Sequence, residues 1–148
     1  MTQDVTLVVA VNITNEKTER VTPPDAQYAT LFVSGRIITG YMIPAWQMME
    51  QFGRYETGES GVTGPYVSVA QIVKDQQVRA AELTEKEDRT DEEQEFLDDF
   101  GPHFVNLADA RWETANGSLG PDTGILLRVK IDSVDAWTPG VMTVSQTD

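Results

Sequence analysis

Side chains able to do chemistry are few in this sequence. The one histidine, His103, directly follows Gly101-Pro102, and imidazole chemistry needs carboxylates or further histidines converging on it. Such a histidine at a strand start reads as structural or solvated. There is no cysteine, which removes disulfides, thiolate metal sites and cysteine nucleophiles together. The densest titratable cluster is Glu82 to Asp99, with ten carboxylates. It fails as an EF-hand loop: counted from Asp88, the sixth position is Glu93 where glycine is needed, and the twelfth is Asp99. Weak divalent-cation association is the most that surface offers. The pair Asp98-Asp99 sits on an acidic helix end, where carboxylates are more often a solvated face than an acid–base dyad. Ser60 and Ser68 lie near glycines without a base-bearing motif, and no phosphate-cradling loop, nucleotide fingerprint or nucleophile elbow occurs. The expectation is a protein with no catalytic, cofactor or metal site.

The bulk properties narrow the partners. The chain has 148 residues, 24 acidic against 11 basic, for a net charge of −13. That length suits one domain, residues 1–148, with a core that needs no disulfide or metal to hold it. Phosphate backbones and anionic lipid surfaces are repelled by such a charge, so neither nucleic acid nor membrane is an expected partner. Met1 to Asp4 carries no basic region, and the apolar run from Val5 to Ile13 is too short for a membrane span. A cytoplasmic location is expected.

Positioning elements follow from periodicity. Val5, Leu7, Val9, Val11 and Ile13 alternate with Thr6, Val8, Ala10 and Asn12, the period of two of a strand with one buried face; this places Val9 in the core. Tyr28 to Val33 and Arg36 to Ile43 read as a hairpin turning at Ser34-Gly35. After Pro44, a helix from Ala45 to Phe52 stacks Ala45, Met48, Met49 and Phe52 before Gly53 ends it, and Gly53 to Pro65 reads as a loop. Ser68 with Gln71 resembles a capping box for a helix to about Leu83. Thr90 with Glu93 repeats that signal for a helix from Asp91 to Phe100. Strands then cover His103 to Glu113, Ile125 to Asp132 and Gly140 to Ser145, with a loop over Asn116 to Gly124. The expected fold is α+β: an antiparallel curved sheet or open barrel of about six strands, in the order β-β-β-α-α-β-β-β, with helices inserted between two three-stranded halves.

With chemistry absent, apolar and aromatic side chains are the candidates for function. Trp46 and Met49 lie on the helix after Pro44, and Tyr55 and Tyr66 flank the glycine-rich loop. Packing of that helix on the sheet is the plainer reading. In the other, Trp46 projects off the Met48/Phe52 stripe and forms with Met49, Tyr55 and Tyr66 a docking surface, since Trp, Tyr and Met are favoured in interface cores.

Three segments carry a resemblance. Leu31-Phe32-Val33-Ser34-Gly35-Arg36-Ile37-Ile38-Thr39-Gly40-Tyr41-Met42-Ile43, His103-Phe104-Val105-Asn106-Leu107-Ala108-Asp109-Ala110 and Leu127-Arg128-Val129-Lys130-Ile131-Asp132-Ser133-Val134-Asp135-Ala136 occur in this order. Together they resemble the gas vesicle accessory protein U family of bacteria. The loop from Gly53 to Pro65 is longer than that pattern suggests. The resemblance implies a non-enzymatic, cytoplasmic accessory protein of gas vesicles, the protein-shelled buoyancy organelles. Its implied role is in vesicle clustering or assembly, through self-association and contacts with the shell or with other accessory proteins. A homo-oligomer is expected. A phage or prophage structural or adaptor protein is the alternative, and a third reading is a small-molecule binding domain or enzyme using a pocket between helices and sheet.

Overall fold

The computed structural model describes residues 4–57, 65–114 and 117–141, with 55–57 described by their backbone alone. The chain divides into two compact units, residues 1–44 with 103–148, and residues 45–102.

The first unit opens on a helix, α1 (Val5–Asn15), where the alternation predicts a strand. Seven of its eleven residues are β-branched, a composition that disfavours helix. Two features outweigh that preference. Asp4 caps the helix, its carboxylate accepting from the backbone N–H of Thr6 at 2.9 Å and of Leu7 at 3.2 Å. The side chains buried are Leu7, Ala10, Val11 and Thr14, spaced i, i+3, i+4, i+7 as one helical face. Both periods are present in this apolar-rich run, and tertiary burial selects the helical one. Val9 is correspondingly 49% exposed and outside the core.

Five strands follow: β1 (Tyr28–Val33), β2 (Arg36–Met42), β3 (Phe104–Glu113), β4 (Leu119–Lys130) and β5 (Ala136–Pro139). They form one antiparallel sheet, ordered β4-β3-β2-β1-β5 and open at both ends. Among the described residues the count is therefore five, because the first expected strand is α1. The last strand lies at Ala136–Pro139; of the expected Gly140 to Ser145, residues 142–145 fall outside the described residues. β1 and β2 form the expected hairpin, its turn made by Ser34 (φ 51°) and Gly35 (φ 76°), the left-handed pair that a tight hairpin demands. α1 packs on the sheet over a core of Leu7, Val11, Leu31, Met42, Leu107 and Ile131, among others.

Residues 131–135 carry the chain from one edge of the sheet to the other. The two ends of this link are also offset along the strands: Lys130 pairs with Phe104, past the Met42 end of β2, whereas Ala136 pairs with Phe32 beside the hairpin turn. Ile131–Ser133 within it is a 3-10 turn. Asp135 then ties this crossover to the hairpin, its carboxylate accepting from Ser34 N–H at 2.9 Å.

The second unit is helical: α2 (Ala45–Thr57), α3 (Pro65–Glu85) and α4 (Asp91–Phe100). α2 runs past Gly53, where a stop was expected. A Cβ on Gly53 would meet Tyr66 Cβ at 3.3 Å, so the missing side chain serves close packing of α2 on α3. α3 starts at Pro65 instead of Ser68, with Pro in its first turn where no N–H is needed. α4 has the expected limits and a complete capping box between Thr90 and Glu93.

Candidate interaction surfaces

The α2/α3 pair carries the four residues singled out from the sequence. Trp46 is 6% exposed and Met49 8%, and Lys74 places its ammonium 4.3 Å from the centre of the Trp46 ring. The indole thus packs as an anchor with a cation on its face, and neither side chain forms an open patch. Tyr55 lies in α2, and its side chain is outside the described residues. Tyr66 is the exposed member, at 36%, and its ring meets Phe52 edge-on with centres 5.9 Å apart. Val69 and Ile72 continue from it at i+3 and i+6, 38% and 55% exposed, so Tyr66 begins an apolar strip along the start of α3.

Charged groups in this unit have local duties. Arg79 stacks over Phe96 at 4.4 Å, and Phe96 stacks on Phe100. Arg89 Nη1 donates to the carbonyls of Leu83 and Lys86 at 3.1 and 3.2 Å, closing the end of α3. The would-be calcium loop from Asp88 runs through the Thr90 cap into α4, so its carboxylates ride on a helix. Asp98 accepts from Gln94 Nε2 at 2.9 Å. Glu93 accepts from Thr90 N–H and from Lys86, which together hold its carboxyl down to about 2. Among the described residues no group of three or more His, Cys, Asp or Glu could hold a metal ion.

In the first unit, the outer side of α1 shows Val5, Val9 and Ile13 at 72%, 49% and 53% exposure. This i, i+4, i+8 stripe was hidden by the strand reading, which put all three in the core with Leu7 and Val11. The polar centre of the unit is a bulge in β3. Asp109 has φ 50° there, and pairing with both neighbouring strands shifts register around it. Bulges of this kind re-aim side chains. Arg111 pairs with the Asp109 carboxylate at 3.1 Å and donates to the carbonyls of Pro121 and Asp122 at 3.1 and 2.8 Å. Partial burial, then the Asp109 charge and Tyr28, push the Tyr41 hydroxyl up from its ordinary value. On β3 and β4, Arg128 lies 4.0 Å from the Phe104 ring centre and donates to Asn106 Oδ1 at 3.1 Å. These guanidinium contacts are spent on the sheet itself.

A family model described as gas vesicle protein GvpU-like matches residues 4–142. The chain belongs to the GvpU-like family. No curated protein and no solved structure matches it. The three segments that resemble the accessory family fall inside the matched range, and each is an element of the sheet. Leu31 to Ile43 is most of the β1/β2 hairpin, His103 to Ala110 leads into the β3 bulge, and Leu127 to Ala136 is the end of β4 with the crossover. No helix among the described residues is long and apolar enough to cross a membrane.

Proposed function

We propose that this chain is a gas vesicle accessory protein that performs no catalysis and acts in vesicle clustering or assembly. It does so in the cytoplasm, at the vesicle, through contacts with itself and with the shell or other accessory proteins. The family match across residues 4–142 carries this reading. The placement of apolar side chains supports it: both units hold exposed apolar strips on helices, at Val5/Val9/Ile13 and Tyr66/Val69/Ile72, and strips of this sort are the material of protein–protein contact.

Gas vesicles are buoyant, so the test is flotation. Purified protein is mixed with vesicles and centrifuged, and the floating layer is assayed for the protein across a salt series. Protein in the floating layer, increasing with salt as the charge of −13 is screened, is the expected result. Protein that stays below the vesicles at every salt concentration refutes the reading.

A further inference from the structure

β4 is an outer strand of the sheet and its longest, Leu119–Lys130. Its first half is a poor template for another strand, broken by Pro121 and by the register shifts around Asp109. The second half pairs regularly with β3, Leu127 with Leu107 and Val129 with Val105, and Ile131 N–H donates to the His103 carbonyl at 3.0 Å. Such bonds recur at every second residue of an antiparallel ladder, so Leu127 and Val129 direct their backbone groups at β3. Leu126, Arg128 and Lys130 direct theirs outward, and among the described residues nothing meets them. Their side chains share the sheet face opposite Leu127 and Val129, which pack in the core with α1.

Charge at this edge runs against the chain as a whole. Of the 24 carboxylates, fourteen lie in residues 45–102, and none falls between Thr123 and Ile131. Arg128 is fixed there by the Phe104 ring and Asn106 Oδ1, contacts that hold its charge at the edge without neutralising it. Lys130 is exposed and has no ion-pair partner among the described residues.

From these features we infer that the edge from Leu126 to Lys130 takes an extended acidic segment of a partner protein as an added strand. This gives a form to the protein contacts proposed above and rests on that reading. The incoming backbone satisfies the outward N–H and C=O groups, the mode by which open sheet edges capture peptides. Carboxylates at alternate positions of the segment then lie across from Arg128 and Lys130, with Cβ atoms about 5 Å apart. The net charge of −13 does not forbid this, because charges farther off than about 8 Å are screened at physiological ionic strength. Lysine on a sheet edge discourages pairing with like edges, and a second copy meeting β4 edge to edge brings the same two cations. A carboxylate-bearing strand is the partner that such an edge admits.

The test titrates the full-length protein with two labelled peptides of equal length, read by fluorescence anisotropy. One alternates threonine with glutamate, the other threonine with lysine. Net charge alone favours the lysine peptide, so the expected preference for glutamate, about tenfold, has to come from the β4 edge. Leu126→Pro removes an outward N–H and leaves the β3 ladder whole, as edge positions allow, and should weaken the glutamate peptide about tenfold. Lys130→Glu should abolish the preference. In wild type the glutamate peptide should slow amide exchange at Leu126, Arg128 and Lys130, a readout that needs no variant to fold. No binding of the glutamate peptide, a preference for lysine, or binding that leaves those three amides exchanging as before overturns the inference. Flotation separates the two proposals. Protein that floats with vesicles yet ignores the glutamate peptide sinks the inference alone, whereas protein that binds the peptide and never floats sinks the functional reading.

Discussion

Gly124 of β4 lies directly against Asp109 of β3: a Cβ at Gly124 would sit 2.5 Å from the Asp109 carbonyl carbon and 2.6 Å from its Cα. On the other side of the bulge, a Cβ at Gly40 of β2 would lie 2.9 Å from the Ala108 oxygen and 3.2 Å from Ala110 Cα. The kink in β3 thus fits between two strands that each lack a side chain where it protrudes. Gly124→Ala is expected to destabilise the protein by about 1–3 kcal/mol through overpacking. Gly101→Ala, whose Cβ meets nothing within 4 Å, is expected to change stability little. Urea denaturation of both variants checks this, and equal midpoints would mean the bulge can shift at no cost.

Leu7 and Val9 separate the helix from the strand reading of the N-terminal segment. Leu7 is fully buried, so Leu7→Ala should cost about 2–5 kcal/mol. Val9→Ala, on the exposed stripe, should stay within about 0.5 kcal/mol of wild type. A strand with its odd positions inward would make the two losses comparable.

The α4 cap should respond to acid. Glu93 is held down to about 2 by the Thr90 backbone N–H first and then by Lys86. A carboxyl depressed in the folded state contributes stability that is present above its unfolded value, near 4.5, and is lost as pH falls toward 2. Amide exchange in α4 should therefore accelerate across that interval in wild type and lose this dependence in Glu93→Gln. A Glu93 carboxyl titrating near 4.5 by NMR would contradict the capping geometry.

Trp46 belongs to the packing of its unit. Trp46→Ala is expected to cost about 3–5 kcal/mol, and Lys74→Met about 0.5–2 through the lost contact of cation and ring. Thermal melts followed by circular dichroism measure both. A Trp46→Ala protein as stable as wild type would return that residue to the list of surface contacts.

The parts of this fold legible in the sequence are those where local chemistry and tertiary demand agree. Gly35 can take positive φ between two β-branched and aromatic runs, so the hairpin was readable. Thr90 and Glu93 satisfy each other's backbone, so α4 was too. The misreadings fall where one residue serves two masters. Gly53, Gly120 and Gly124 look like loop formers, yet Gly53 lies inside a helix and the other two inside β4, with Gly53 and Gly124 conceding space to Tyr66 and Asp109. The segment Val5–Asn15 satisfies both periods, and the choice is made by the sheet beneath it. Of the candidate residues, Tyr66 is exposed while Trp46 and Met49 are buried, a difference that their types and spacing do not carry, and the α1 stripe needed the helix to be seen first.

The insertion of α2, α3 and α4 between β2 and β3 has a kinetic consequence. β1 with β2 and β3 with β4 are local pairs that can form early, but β2 meets β3 only after a segment of about sixty residues has been spanned. Closing a flexible loop that long costs about 1.2 kcal/mol more than closing one of about fifteen residues. By sequence separation the β2/β3 seam, which carries Gly40 and the bulge, follows the two hairpins, and the β1/β5 pair, which joins Ala29 to Pro139, follows it. Until the helices condense and bring its ends together, two apolar hairpins stand with their inner edges unpaired. In that interval the nascent chain is most open to partners, its own copies included.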